Sequence, residues 1–172
     1  IDTKASILSK IAGFYAYTGD NQKAIEIYNQ ALELFKKAPE HIKNLSKNRT
    51  TEAYMLNNLG VVYSKMGDMK LALEKYTQAF DIAINVKEYD AATVFLRNIA
   101  SANFEIGEKQ KAITQLERVL QYSRDIKSKT IEMKALDDIG FIYSVLLDTK
   151  KAITNYSLAL KIAQDISDKK KE

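Results

Sequence analysis

Asn58 and Asn98 stand 40 residues apart, each directly before an apolar and then a small residue, in Asn58-Leu59-Gly60 and Asn98-Ile99-Ala100. A side-chain amide donates and accepts hydrogen bonds at once, which suits it to the backbone of an extended or helical peptide. Arg97, Lys65 and Lys134 add cations that can pair with acidic side chains of a partner. Chemistry of other kinds finds no comparable set. The single histidine, His41, lies in a polar stretch without a cysteine, a second histidine or a carboxylate cluster at metal-ligand spacing, so it is expected to be a solvated loop residue. Asp137 and Asp138 are adjacent, and neighbours on a helix point about 100° apart, which keeps them from sharing a proton or a substrate. No Gly-rich phosphate loop follows a strand pattern, and the glycosylation-like triplets at Asn44, Asn48 and Asn155 are common by chance in an Asn-rich chain. No catalytic residues, cofactor or metal site are expected.

Composition sets similar limits. The 172 residues are 46% hydrophobic, enough for one continuous core, and contain no cysteine, which excludes disulfides, zinc thiolates and a cysteine nucleophile. The formal charge is +4, and the window Lys36–Arg49, with five basic residues against Glu40, accounts for that excess. A nucleic-acid footprint would spread basic residues over successive elements, whereas only this window and the Lys169–Lys171 run stand out, so no nucleic-acid partner is expected. The longest apolar run, Gly140–Leu147, is interrupted by Ser144 and too short to cross a bilayer, so no membrane partner is expected and the cytoplasm is the default location. The chain opens at Ile1 and stops soon after a helical pattern ends, as a piece of a longer protein would.

Apolar residues recur three and four apart and Pro39 is the only proline, so the chain reads as all-α. Ala24, Ala72, Ala112 and Ala152 are spaced by 48, 40 and 40, and Ala12, Gly60, Ala100 and Gly140 repeat those spacings. Each unit places a turn, in TGDNQ, MGDMK, IGEKQ and LLDTK, between two helical patterns. Glycine can close the last turn of the first helix in the left-handed conformation, and Asp20, Asp68 and Asp148 can cap the second. Leu147 replaces the glycine in the fourth unit, so that turn is expected to differ. Ten tyrosines interleaved with basic residues could stack on bases, but Tyr15, Tyr28, Tyr63, Tyr76, Tyr143 and Tyr156 fall at repeating positions and are read as core. Units are expected at 5–38, 53–92, 93–132 and 133–166. Residues 39–52 form a longer connection, with Pro39 ending the helix before it.

These positions resemble the tetratricopeptide repeat. Unit one supplies Leu8, Ile11, Ala12, Tyr15, Ala24, Tyr28 and Ala31, unit two Leu56, Leu59, Gly60, Tyr63, Ala72, Tyr76 and Ala79, and unit four Leu136, Ile139, Gly140, Tyr143, Ala152, Tyr156 and Ala159. Unit three departs at Asn103, Leu116 and Val119. The period exceeds the usual 34 residues or so and is similar to that of Pins-type scaffolds and Rap-type bacterial regulators. The resemblance implies a single right-handed superhelical solenoid of antiparallel helix-turn-helix hairpins over 1–172.

In this family the ligand lies along a concave groove lined by first helices. The resemblance therefore places Tyr54, Asn57, Asn58 and Lys65 of unit two, Arg97, Asn98 and Phe104 of unit three, and Lys134 of unit four on the binding face. Chaperone-binding members use a clamp of two lysines, two asparagines and an arginine, and unit one offers Ser9 and Gly13 where the first lysine and asparagine would stand, so a chaperone terminus is not the expected ligand. The implied function is a non-catalytic interaction module for a peptide or helix of a partner protein. The alternatives are a peptide-sensing part of a larger signalling protein, or homo-oligomerisation through the terminal repeats, because Ile153, Tyr156, Leu160 and Ile162 form an apolar side that a following helix would cover.

Overall fold

A computed structural model describes residues 2–168, which form helices and short turns with no strand among them. The Lys169–Lys171 run lies outside the described residues. Helices α1 (Asp2–Thr18) and α2 (Asn21–Lys36) form the first hairpin, and a short α3 (Glu40–Lys43) follows. Then come α4 (Ser46–Lys65) with α5 (Met69–Asn85), α6 (Tyr89–Glu105) with α7 (Lys109–Asp125), and α8 (Lys129–Val145) with α9 (Thr149–Asp168). The chain divides into two compact units, Ile1–Phe95 and Leu96–Glu172, with the boundary inside α6. Within the first, α1, α2 and α5 lie against α4; within the second, α7 and α9 lie against α8.

The 40-residue period resolves into two equal halves. Gly67, Lys87, Gly107, Lys127 and Leu147, spaced by 20, all have positive φ, between 56° and 87°. After each, a backbone N–H reaches back over the helix end: Asp68 to Tyr63, Glu88 to Ala83, Glu108 to Asn103, Ser128 to Ser123 and Asp148 to Tyr143, at 2.8–3.0 Å. This six-to-one bond satisfies a terminal carbonyl and needs one left-handed residue, so a 17-residue helix and a three-residue turn form the true building unit. The Leu147 turn differs slightly, as expected: it takes φ 61° and keeps the reach-back bond of its glycine counterparts, while the N–H that bonds the glycine carbonyl two residues back in the Gly67 and Gly107 turns makes no such bond to Leu147. Asp20, Asp68 and Asp148 cap as expected, accepting from the N–H groups of Lys23, Leu71 and Lys151 at 3.2, 3.0 and 3.1 Å.

Inside each hairpin the two helices approach through a small residue. A Cβ on Gly60 would stand 2.7 Å from the Tyr76 ring and 3.2 Å from the Ala72 carbonyl oxygen, and one on Gly140 would stand 2.8 Å from Tyr156. Only hydrogen fits there. In repeat three the tyrosine is Leu116, and Ala100 lies with it in a buried cluster that includes Ala112, Ile113, Ile139 and Ile142. The narrower leucine admits the Ala100 methyl, so the departure at Leu116 is compensated at the crossing. Repeat one keeps Ala12 with Tyr28, and the adjacent Gly13 leaves the room, its Cβ position 3.4 Å from the tyrosine hydroxyl.

The long connection is mostly helical. Pro39, at φ −53° and ψ 143°, precedes α3, as its fixed φ and missing N–H favour, and α2 has already ended at Lys36. Buried Asn48 donates its Nδ2 to the Ile42 carbonyl at 2.6 Å, which holds α3 to the start of α4. His41 is exposed on α3 rather than in a loop. At the junction of α7 and α8, Glu132 is buried between Lys129 Nζ at 2.8 Å and Arg124 Nε at 3.0 Å. The Lys129 hydrogen bond is the main cause holding its carboxyl below the ordinary glutamate range.

Three outcomes follow from these contacts. Gly60→Ala gains about 1 kcal/mol of helix propensity and loses about 1–3 kcal/mol to overpacking, for a net loss on the order of 1 kcal/mol. In a Tyr76→Leu background the same change should stabilise; urea midpoints that add across the cycle would remove the ring contact as the cause. Leu147→Gly should raise stability by about 1 kcal/mol, because the exposed side chain packs on nothing and the left-handed strain is relieved. Because folding depresses the Glu132 pKa, its stabilisation is present above the ordinary value of 4.5 and is lost as pH falls through the lower folded value. The acid limb of unfolding should therefore flatten in Glu132→Gln, read as midpoint against pH; an unchanged slope between wild type and variant counts against it.

Candidate functional site

On α4 the residues Tyr54, Asn58, Val61 and Lys65 follow the i, i+4, i+7, i+11 spacing of one helix stripe, and three of them reach a neighbouring helix of their own unit. Tyr54 meets Phe95 edge-on, with ring centroids 5.3 Å apart at 80°, and one edge of Tyr54 stays open to solvent. Burial, then the nearby Glu88 and Asp90 carboxylates, push its hydroxyl pKa up. Asn58 is half-buried and hydrogen-bonds the Tyr28 hydroxyl, while burial raises the Tyr28 pKa. Asn57 Nδ2 lies 3.5 Å from Asn58 Oδ1. Lys65 Nζ donates to the Ala16 carbonyl at 3.3 Å, a cation at the end of α1 where the helix dipole is negative.

In the second unit, α6 and α8 set two stripes side by side. Arg97, Ser101 and Phe104 line one; Lys134, Asp138 and Phe141 line the other. The Arg97 guanidinium grips Asp138 Oδ2 from Nε at 2.8 Å and Nη2 at 2.7 Å. Two turns after Arg97 on α6 and one turn after Asp138 on α8, Phe104 and Phe141 lie 5.5 Å apart with their planes tilted by 56°. Phe104 also packs onto the buried cluster below, so it supports Phe141, whose ring is half exposed. Lys134 is exposed, and Asn98 is half-buried one residue from Arg97.

The eight residues placed on the binding face by sequence thus divide. Tyr54, Lys134 and Phe104 offer surface to a ligand, Phe104 through its partner ring. Arg97 and Lys65 are surface groups already engaged within the chain. Asn58 and Asn98 are half-buried, and Asn58 ties α4 to α2 through Tyr28, so an alanine there alters packing as well as surface. Asn57 is buried, a correction to its placement on the open face: it stands beside the stripe and turns toward the interior of its own unit. Sequence reasoning missed that Asp138 is the partner of Arg97. The signal was there in the 40-residue register, since Arg97 and Asp137, or Ser101 and Phe141, are equivalent positions on adjacent first helices.

No group of His, Cys, Asp or Glu among the described residues has the arrangement of a metal site, and no described helix is long and apolar enough to cross a membrane.

A model described as tetratricopeptide repeat matches residues 51–125, and a second of the same description matches residues 5–37. No curated protein matches the sequence. Among solved structures, BtubC (BKLC) from P. vanneervenii is 18% identical with a TM-score of 0.81, over 96% of this chain and 65% of that one. Aspartyl phosphate phosphatase F from Bacillus subtilis is 17% identical with a TM-score of 0.84, over 96% of this chain and 42% of that one. The Rap conjugation gene regulator of plasmid pLS20, solved in complex with a Phr peptide, is 16% identical with a TM-score of 0.72, over 92% and 42%. The chain thus spans less than two thirds of each of these proteins. At such identities the likeness is one of fold, an all-α repeat of helical hairpins. The small residue at the crossing, the turn after it and the aromatic that fills it recur in register in stretches that both models recognise, and the chain belongs to the tetratricopeptide repeat family.

Proposed function

We propose that the chain is a non-catalytic interaction module that holds a peptide or helix of a partner protein against the open stripes of its first helices. The observation that carries this reading is Phe141. An aromatic ring left half exposed while a second ring supports it is a preformed anchor point, and such rings supply binding area at low entropic cost. Exposed Lys134 lies two turns before it on the same stripe, and the Arg97–Asp138 pair fixes the polar border beside it. The surface therefore suits a segment that carries an apolar side chain for Phe141 and a carboxylate for Lys134. Asn98 and Tyr54 extend the same reading along their own helices.

The likeness to the Rap regulator solved with a Phr peptide favours a second reading, in which this is the peptide-sensing part of a longer signalling protein. Both readings require the same face.

Panning a displayed peptide library on the wild-type chain tests them together. Selected peptides should lose about tenfold or more in affinity, roughly 1.4 kcal/mol, on Phe141→Ala. Lys134→Glu should weaken the acidic members most. Circular dichroism should stay unchanged for both, since neither side chain is buried. Peptides that bind wild type and both variants equally would remove this face as the site.

A further inference from the structure

One carboxylate position is filled differently in the two units. Where α7 meets α8, Glu132 is buried with both oxygens engaged, Oε1 by Arg124 Nε at 3.0 Å and Oε2 by Lys129 Nζ at 2.8 Å. Aligned by Ala24 with Ala112 and by Gly60 with Gly140, the equivalent residues of the first unit are Lys36, Arg49 and Glu52. There Arg49 holds Oε2 of Glu52 at 2.6 Å, as Lys129 holds Glu132, but Oε1 has no partner among the described residues. Lys36, the counterpart of Arg124, pairs instead with Glu33 on its own helix at 2.7 Å. Chain length is the cause. Only residues 126–128 join α7 to α8, whereas residues 37–45, with α3 among them, separate α2 from α4, so the end of α2 is not delivered to Glu52. Glu52 lines a cleft of about 660 Å³ formed by α2, α4 and α5, together with the buried Leu32, Leu56, Leu59 and Ile82. Lys75, also in the lining, pairs with Glu74 at 2.7 Å. Asp81, at the cleft as well, makes no ion pair or hydrogen bond among the described residues. The lining cations are thus all engaged, while one oxygen of Glu52 and the whole Asp81 carboxylate stay open.

We propose that this cleft is a second binding site, for a peptide segment of a partner protein that carries an arginine beside aliphatic side chains. The guanidinium takes at Glu52 Oε1 the place that Arg124 fills at Glu132, and the aliphatic neighbours cover Leu32, Leu56, Leu59 and Ile82. The ligand's charge is read from the molecule itself, which supplies a cation to this carboxylate in one unit and withholds it in the other. A carboxylate oxygen held in a partly closed cleft without a donor carries a desolvation cost that a charged donor removes. Asp81 adds a negative charge that draws the same ligand toward the cleft. The volume falls within the roughly 300–1,000 Å³ of ligand sites, but the cleft is open on one side, which suits a chain segment rather than a small molecule that must be enclosed. Repeats stack end to end, so further ones would cover α1 or α9 and leave this space between consecutive hairpins open. The site goes beyond the peptide-binding reading above and uses none of the residues that carry it.

The probe is the capped peptide acetyl-leucyl-arginyl-leucine amide, titrated into the isotopically labelled chain and followed by backbone amide shifts. Shifts should move around Leu32, Glu52, Leu56 and Ile82, and the neutral analogue with citrulline in place of arginine should bind about tenfold or more weakly. Glu52→Gln should weaken the arginine peptide by a similar factor and leave the citrulline peptide unchanged, a split that a merely structural change would not give. Asp81→Asn, at an exposed position, should weaken the arginine peptide in the same sense, and it keeps the test decisive if Glu52→Gln disturbs the packing of α4. Phe141→Ala should bind as the wild type does. Equal binding of the arginine and citrulline peptides overturns the proposal, as does the absence of binding. So do shifts centred on Phe141, which would mark the first-helix face instead. Arginine amide that binds as tightly as the peptide also overturns it, since that would mark a site for a small cation.

Discussion

The structure depends on how closely two helices of a hairpin can approach. At Gly60 and Gly140 the space that a methyl would need is filled by a tyrosine ring from the second helix. Tyr28 shows the consequence: its hydroxyl emerges where Asn58 of the following hairpin bonds it. One small residue thus sets both the distance within a repeat and the means by which a repeat grips its successor. Repeat three solves the same packing problem with Ala100 and Leu116, and accordingly relies on an aliphatic cluster in place of a tyrosine hydroxyl.

Regularity of the turns is the second constraint, and it is enforced by hydrogen bonding more than by residue type. Five turns adopt a left-handed residue and the same reach-back bond, yet only two of those residues are glycine. A lysine or leucine in that conformation carries a cost of about 1–2 kcal/mol, which the satisfied carbonyl and the packing of the two flanking helices offset. Equal 17-residue helices follow in α5 to α8, so the first helices α6 and α8 present their stripes at matching heights. That match is what lets Arg97 reach Asp138 and Phe104 reach Phe141 across the same pair of helices.

The candidate binding face shares its residues with the scaffold. Lys65 and Asn58 lie on the surface stripe of α4 and at the same time tie that helix to α1 and α2. A partner approaching this face meets a few side chains whose positions are already fixed, Phe141 above all, and others that it can engage only by competing with a contact inside the chain. Preorganisation of that kind lowers the entropic cost of binding and narrows the set of ligands that fit.

Local rules sufficed for much of this. Spacing of small and apolar residues determined the all-α fold, the hairpins, Tyr28 and Tyr76 as core and the aspartate caps, because helix formation, capping and packing stripes are fixed by residues within a turn or two of one another, whereas Tyr156, also expected in the core, is exposed. The 40-residue register even placed Arg97, Lys134 and Phe104 on the correct helices. What the register could not decide was the fate of each polar side chain. Asn57 and Asn58 are neighbours of one type, and only the packing of α4 between α1, α2 and α5 turns the first inward and half-buries the second. Whether Ile11 and Leu160 would be covered likewise depended on surfaces formed by residues distant in sequence, and burial is a property of those surfaces rather than of the residue itself.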